Sequence, residues 1–124
     1  TTEPDAALIL ERDLPRDETL RTLFARYAPD AVVMTCGGDG SRAYAGDRIL
    51  ATPSFPLEAI HRIGAGDAFD AGLLYGLIEG DLETGLAYGN AMAALKFTVP
   101  ENLPLIDRED VEQLLAGRDL RLVR

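Results

Sequence analysis

The sequence predicts an α/β domain, and three observations lead to that prediction. Two short apolar runs, residues 6–10 and 31–35, are typical of buried strands. Between them apolar residues recur at helical spacing from Asp17, and Pro29 ends the segment. A glycine-rich turn at Gly64 opens the longest helical stretch. We therefore expect the chain to start with the order β-α-β and to continue into helices.

Turn and capping residues predict the remaining elements. Gly46 and Asp47 separate residues 41–45 from 48–52, which is typical of a β-hairpin. Residues 57–60 suggest a short strand, and two antiparallel helices are expected from residue 65 and over residues 82–97. Asp107 and Asp110 resemble a capping pair before a last helix that Gly117 ends. The first of the two long helices is expected to bury these apolar residues: Phe69, Leu73, Leu74, Leu77 and Ile78.

Composition limits the partners. The 124 residues carry a net charge of −9, which repels nucleic acid and anionic lipid surfaces. The chain has one cysteine, Cys36, and one histidine, His61, so neither a disulfide framework nor a zinc site is expected. The cysteine content and the absence of an export signal or a membrane span in the sequence predict a cytoplasmic location. Cys36 itself is expected to be a small buried residue at the end of a strand.

The turn at residues 64–67, Gly-Ala-Gly-Asp, is the candidate for an anion-binding and catalytic site. A helix N-terminus offers unpaired N–H groups and partial positive charge, and glycines let an oxyanion approach closely. An aspartate beside such an anion site fits the acceptance of a proton from a hydroxyl that then attacks a phosphoryl group. The spacing alone fits equally well a tight turn with a simple helix cap. Both interpretations remain open at the level of these four residues.

Three stretches resemble the ribokinase-like (PfkB) carbohydrate kinases. They are RIGAGDAFDAG at residues 62–72, GNAMAALKFTVP at residues 89–100, and TCGGDG at residues 35–40. They occur in the family's order, and the second stretch is most similar to the branch with the 2-keto-3-deoxygluconate kinases. The resemblance implies a three-layer ribokinase-like α/β fold. Residues 1–124 would form its C-terminal, nucleotide-binding and catalytic-base portion, without the N-terminal sugar-binding portion and lid.

The resemblance also implies ATP-dependent phosphorylation of a sugar or sugar-acid hydroxyl, with Mg²⁺ carried by ATP. Asp67 would be the general base. The backbone of Gly64, Ala65 and Gly66 would form the anion hole. Nucleotide-contacting residues would be Thr35, Gly37, Gly38, Gly40 and Asn90. Simpler interpretations are that Gly37 and Gly40 only turn a hairpin, and that Asn90 is hydrogen-bonded between packed helices.

His61 departs from the family pattern. The family often has an acidic residue there, linked to a monovalent-cation site, and an imidazole suits a hard monovalent ion poorly. The sequence therefore argues against a monovalent cation at this position, and no metal-ligating side chain is assigned. Alternative acceptors are another hexose or a nucleoside, and a further alternative is a non-catalytic nucleotide-binding fragment. An open sheet edge is expected to make the chain a homo-oligomer.

Overall fold

The computed structural model describes residues 1–57, 62–100 and 105–117. The chain divides into two compact units, Thr1–Pro53 and Ser54–Arg124. The first unit contains α1 (Glu3–Leu10), α2 (Arg16–Tyr27) and the strands β1 (Val32–Thr35), β2 (Ser41–Tyr44) and β3 (Ile49–Thr52). The second contains α3 (Ala65–Glu79), α4 (Leu82–Phe97) and α5 (Arg108–Leu115). This mixture of helices and a small sheet confirms the α/β class.

The strand predicted over residues 6–10 is wrong, because these residues belong to α1. Thr2 caps the helix, and its Oγ1 accepts a hydrogen bond from the Asp5 N–H at 3.2 Å. Ala6 and Leu10, four residues apart, are buried, whereas the intervening Leu8 is exposed. A run of alanine and leucine behind a threonine cap satisfies its backbone locally, so helix formation prevailed over the strand.

The predicted β-α-β order is present only in reduced form. Thr2 makes a single parallel bridge with Thr35 of β1, and the Thr35 N–H donates to the Thr1 carbonyl at 3.0 Å. Along the chain, two helices rather than one separate Thr2 from β1. The helix predicted from Asp17 is confirmed as α2, which begins one residue earlier.

The predicted hairpin is confirmed. β1, β2 and β3 form an antiparallel sheet in that order, and Tyr44 pairs with Ile49 across the turn. Gly46 has a φ of +93°, which glycine adopts without strain. Buried apolar residues of α1, α2 and β1, together with Cys36, form the core of the first unit: Ala6, Leu10, Leu20, Leu23, Val32, Met34 and Cys36.

In the second unit α3 and α4 pack antiparallel through glycines, as the small residues of α4 predicted. A Cβ on Gly76 would lie 2.7 Å from Gly85 Cα, and one on Gly89 would lie 2.8 Å from the Phe69 ring. The predicted apolar face of α3 is correct for Phe69 and wrong for Leu74, Leu77 and Ile78, which are 60%, 39% and 82% exposed. Small residues dominate the buried positions of α3: Ala65, Ala68, Phe69, Gly72 and Gly76.

The predicted capping pair is confirmed at α5. Asp107 Oδ1 accepts the Asp110 N–H at 3.0 Å, and Asp110 Oδ2 accepts the Asp107 N–H at 3.1 Å. Val111 and Leu114 are buried against α4 in a cluster with Leu95. In the short strand predicted over 57–60, Leu57 is not in a strand, and the other three residues lie outside the described residues.

Candidate functional site

The N-terminal turn of α3 holds the predicted catalytic residues. Gly64 caps the helix in the left-handed conformation, at φ +82°, and its carbonyl accepts the Ala68 N–H at 2.9 Å. The Ala65 N–H makes a long contact of 3.4 Å with the Arg62 carbonyl. Within the described residues, the N–H groups of Gly66 and Asp67 have no hydrogen-bond partner. The first turn of a 15-residue helix therefore presents two free donors at its positive end.

Asp67 lies in this first turn and is exposed. Its carboxylate makes no ion pair with the described residues. Gly66 is also exposed, and a Cβ built on it would meet no atom within 4 Å, so the backbone here is open on one side. The turn thus combines free N–H donors with an exposed carboxylate. That Asp67 is a general base, and that residues 64–66 form an anion hole, stay predictions.

Asn90 lies on α4 and is buried next to Gly89, which packs on Phe69 of α3. The burial agrees with the simpler interpretation, in which Asn90 is a polar residue between packed helices. Proximity to an adenine stays a prediction. α4 is otherwise positioned by its Asp81 cap, whose Oδ1 accepts the Thr84 N–H at 2.8 Å.

The predicted nucleotide turn connects β1 to β2. Thr35 ends β1, and residues Gly37–Asp39 form a single 3-10 turn. Gly37 and Gly40 have φ values of +57° and +90°, so both positions favour glycine for conformational reasons. The Cys36 N–H donates to the Gly40 carbonyl at 2.8 Å and closes the turn, while Gly37 and Gly38 remain exposed. The glycines do turn the hairpin, and they also leave an exposed backbone loop.

Ser41, directly after this loop, carries a buried hydroxyl. It is 1% exposed and pairs with Thr35 across β1 and β2. Its Oγ has no hydrogen-bond partner among the described residues. A buried hydroxyl without a partner costs about 1–3 kcal/mol, so this position is a local weak point of the sheet.

Two arginines that the sequence did not single out border a cleft beside the loop. Arg16 donates to Glu3 at 2.8 and 3.0 Å and to Asp39 at 2.8 Å, and Arg42 donates to Asp17 at 2.6 Å. The hydrogen bond from Arg16 lowers the pKa of Glu3, and the two carboxylates raise the pKa of Arg16. The cleft has a volume of about 440 Å³ and these lining residues: Arg16, Asp39, Arg42, Ala51, Thr52 and Pro53.

Cys36 is buried, as predicted, and its Sγ lies 3.8 Å from the Met34 carbonyl. Burial raises the pKa of its thiol, so it is a poor nucleophile. The described part of the chain contains no cluster of three or more His, Cys, Asp or Glu side chains that could hold a metal. None of the described helices is long and apolar enough to cross a membrane. His61 lies outside the described residues.

The predicted site residues thus form two groups, one in each unit. Thr35, Gly37, Gly38 and Gly40 share one turn of the first unit, and the turn at residues 64–67 belongs to the second, as does Asn90. Arg16 and Arg42 were missed because their position beside the loop depends on the packing of α2 against the sheet. No local motif marks them.

Solved kinase structures resemble this chain in fold. The fructokinase of Vibrio cholerae O395, in a structure with fructose, ADP and calcium, matches with a TM-score of 0.81 at 23% identity. The match covers 92% of this chain and 39% of that one. The fold is therefore that of the ribokinase-like kinases, as the sequence predicted.

The family follows from the sequence match. The family model described as pfkB family carbohydrate kinase matches residues 1–103, and the chain belongs to this family. It is 37% identical over 123 residues to a 2-dehydro-3-deoxygalactonokinase of Haloferax volcanii and 41% identical over 111 residues to a 5-dehydro-2-deoxygluconokinase of Bacillus velezensis. These matches cover 98% and 82% of this chain but 39% and 33% of the two relatives. The chain spans about two-fifths or less of their length.

Proposed function

We propose that this chain is the C-terminal, nucleotide-binding and catalytic-base portion of a kinase that transfers the γ-phosphoryl group of ATP to a hydroxyl of a sugar or sugar acid. The observation that carries the proposal is the N-terminal turn of α3. There an exposed Asp67 follows the open backbone of Gly66, and both N–H groups lack a partner among the described residues. Membership of the pfkB carbohydrate kinases supports the reaction type.

Asp67 acts as the general base. Its carboxylate takes the proton of the acceptor hydroxyl as that oxygen attacks the γ-phosphorus, and the bond from the γ-phosphorus to the bridging oxygen of ADP breaks. Negative charge spreads over the transferred group, and the backbone of Gly64, Ala65 and Gly66 stabilises it as an anion hole at the positive end of α3.

The loop after β1 binds the nucleotide. Thr35 and Gly40 anchor its two ends, and the exposed backbone of Gly37 and Gly38 lies beside the phosphates and ribose. Asn90 lies near the adenine. The net charge of −9 opposes an anionic ligand, so the local donors must hold it.

Mg²⁺ enters with ATP. Because Mg²⁺ keeps several waters and binds mainly through substrate phosphates, it needs few protein ligands. The ion neutralises phosphate charge during transfer.

The acceptor is a keto-deoxy sugar acid of the 2-keto-3-deoxygluconate type. The names of the two relatives, a 2-dehydro-3-deoxygalactonokinase and a 5-dehydro-2-deoxygluconokinase, support this class. Another hexose or a nucleoside is the alternative acceptor. The chain's short span relative to those relatives favours a second candidate for the isolated chain, a nucleotide-binding fragment without turnover.

The test uses the full-length kinase that carries this chain, beside the isolated chain. A coupled assay for ADP release with MgATP is run against keto-deoxy sugar acids, hexoses and nucleosides, and calorimetry measures ATP binding. We expect turnover of the full-length protein with a keto-deoxy sugar acid, and ATP binding without turnover by the isolated chain. A full-length protein that binds ATP but phosphorylates none of these acceptors would contradict the proposal.

A further inference from the structure

Lys96 lies in surroundings that are unusual for a lysine. It is the only lysine among the 124 residues, which contain 12 basic residues in total. Its side chain is fully buried, with 0% exposure. The arginines of the described part of the chain are all exposed or half-buried. The arginines of the described residues therefore lie at or near the surface, whereas the lysine side chain is buried.

The Lys96 ammonium is held by a backbone carbonyl. Nζ donates to the Val99 carbonyl at 3.2 Å. Within residues 1–57, 62–100 and 105–117, no carboxylate lies within 4 Å of Nζ. Lysine has three N–H donors, so two of them are left without a partner in this described set. A structural lysine would ordinarily have its head group in water or beside a carboxylate.

The ammonium lies at the negative end of α4. Lys96 is in the last turn of that helix, and the Thr98 Oγ1 and N–H both donate to the Leu95 carbonyl, at 2.7 and 3.0 Å. The Val99 N–H donates to the Lys96 carbonyl at 3.2 Å. The Leu95 and Lys96 carbonyls at this helix end thus accept hydrogen bonds, and the cation complements the helix dipole. Lys96 thus ties the residues after α4 back onto the helix end.

This end of α4 lies beside the catalytic end of α3. The helices are antiparallel, with Gly89 on Phe69 and Gly72 on Tyr88 and Met92. Further along α4 towards its C-terminus, the pairing runs towards the beginning of α3, where Gly64 and Asp67 lie. A cation that fixes the end of α4 consequently stiffens the same end of the helix pair as the anion hole.

We infer that Lys96 is a built-in monovalent cation that positions the catalytic end of the α3–α4 pair, so that the kinase needs no soluble one. Carbonyl oxygens are the ligands that a hard monovalent ion prefers, and a lysine ammonium is a compact point charge that can take its place. The inference rests on the proposed function. It agrees with His61, which replaces the acidic residue expected at a cation site.

The test compares wild type with two variants of the full-length kinase. Lys96→Ala removes the charge and leaves room for an ion, and Lys96→Met removes the charge but keeps the space filled. Each is assayed for turnover and for melting temperature in choline chloride and in potassium or ammonium chloride at equal ionic strength. Circular dichroism establishes that the variants are folded.

We expect potassium to change wild-type turnover less than two-fold and to leave its melting temperature unchanged. Lys96→Ala should lose at least ten-fold in turnover in choline, and potassium or ammonium should restore both turnover and melting temperature. Lys96→Met should lose turnover with no response to either ion. If the alanine variant does not fold in any of the salts, the wild-type response to potassium and the turnover of Lys96→Met still test the inference.

Two results would overturn the inference. One is a wild type that potassium activates several-fold or stabilises, and the other is a Lys96→Met variant as active as wild type. If no acceptor is phosphorylated by wild type, the proposed function fails instead. The melting temperatures then still test Lys96, because restoration of Lys96→Ala by potassium does not require turnover.

Discussion

The contact between α3 and α4 gives the sharpest stability prediction. A Cβ on Gly76 would lie 2.7 Å from Gly85 Cα, 2.8 Å from Gly85 N and 2.8 Å from the Thr84 carbonyl oxygen. Carbon contacts normally lie at about 3.5–4.0 Å, so Gly76→Ala falls short by roughly 1 Å. All three neighbours are backbone atoms, which no side-chain rotation can move. The two helices must therefore shift apart.

The size of the effect follows from two opposed contributions. Over-packing of this kind costs about 1–3 kcal/mol, and backbone neighbours place it at the upper end. Replacing glycine by alanine inside a helix returns about 1 kcal/mol. The net loss is about 2 kcal/mol in the free energy of unfolding, or a fall of roughly 8 °C in melting temperature.

Thermal and urea unfolding of the chain, followed by circular dichroism, measures this loss. Gly66→Ala is the matched control, because it lies in the same helix and its Cβ would meet no atom within 4 Å. The control should unfold at or slightly above the wild-type temperature. A Gly76→Ala variant as stable as the control would refute the close approach of α3 and α4.

Two further predictions concern the first unit. Ser41→Ala removes a buried hydroxyl that lacks a partner among the described residues, and in a urea titration it should raise the free energy of unfolding by up to about 1 kcal/mol. The control is Thr19→Val, which removes a hydroxyl that donates to the Pro15 carbonyl at 3.1 Å and should lower the free energy of unfolding by about 1 kcal/mol. A loss of stability in Ser41→Ala would mean that the Ser41 hydroxyl is paired. Glu3 stabilises the fold while ionised, because the hydrogen bond from Arg16 lowers its pKa below the ordinary 4.5. This contribution is complete above pH 4.5 and disappears as the pH falls through the lowered pKa. The melting temperature of Glu3→Gln should therefore be lower than that of wild type at pH 7 and equal to it in strong acid. A difference in melting temperature that persists in acid would contradict the ion pair.

The sequence predicted best those elements whose signals are local. The hairpin follows from Gly46, and α5 follows from its Asp107 and Asp110 capping box, which the structure contains. The strand predicted over residues 6–10 was wrong because a run of five apolar residues does not distinguish a strand from a helix by its periodicity. The N-terminal cap at Thr2 favours the helix.

Which side chains are buried depends on packing between elements, and the sequence did not reveal it. The buried side of α3 is lined by Gly72 and Gly76, which carry no hydrophobic signal, so the larger Leu74, Leu77 and Ile78 were wrongly predicted to be buried. The same limit applies to the candidate site. Its motif residues were found by resemblance, whereas the burial of Lys96 depends on tertiary contacts that no spacing encodes.

The central claim is that Asp67 is the general base of a phosphoryl transfer, and one measurement tests it most directly. Turnover and ATP affinity of the full-length kinase are compared for Asp67→Asn and for Glu79→Gln, an exposed acidic residue at the other end of α3. Loss of a general base lowers kcat by about 10²–10⁴-fold. We predict that fall for Asp67→Asn, with ATP affinity retained and Glu79→Gln unchanged. An Asp67→Asn enzyme that keeps wild-type turnover would contradict the claim.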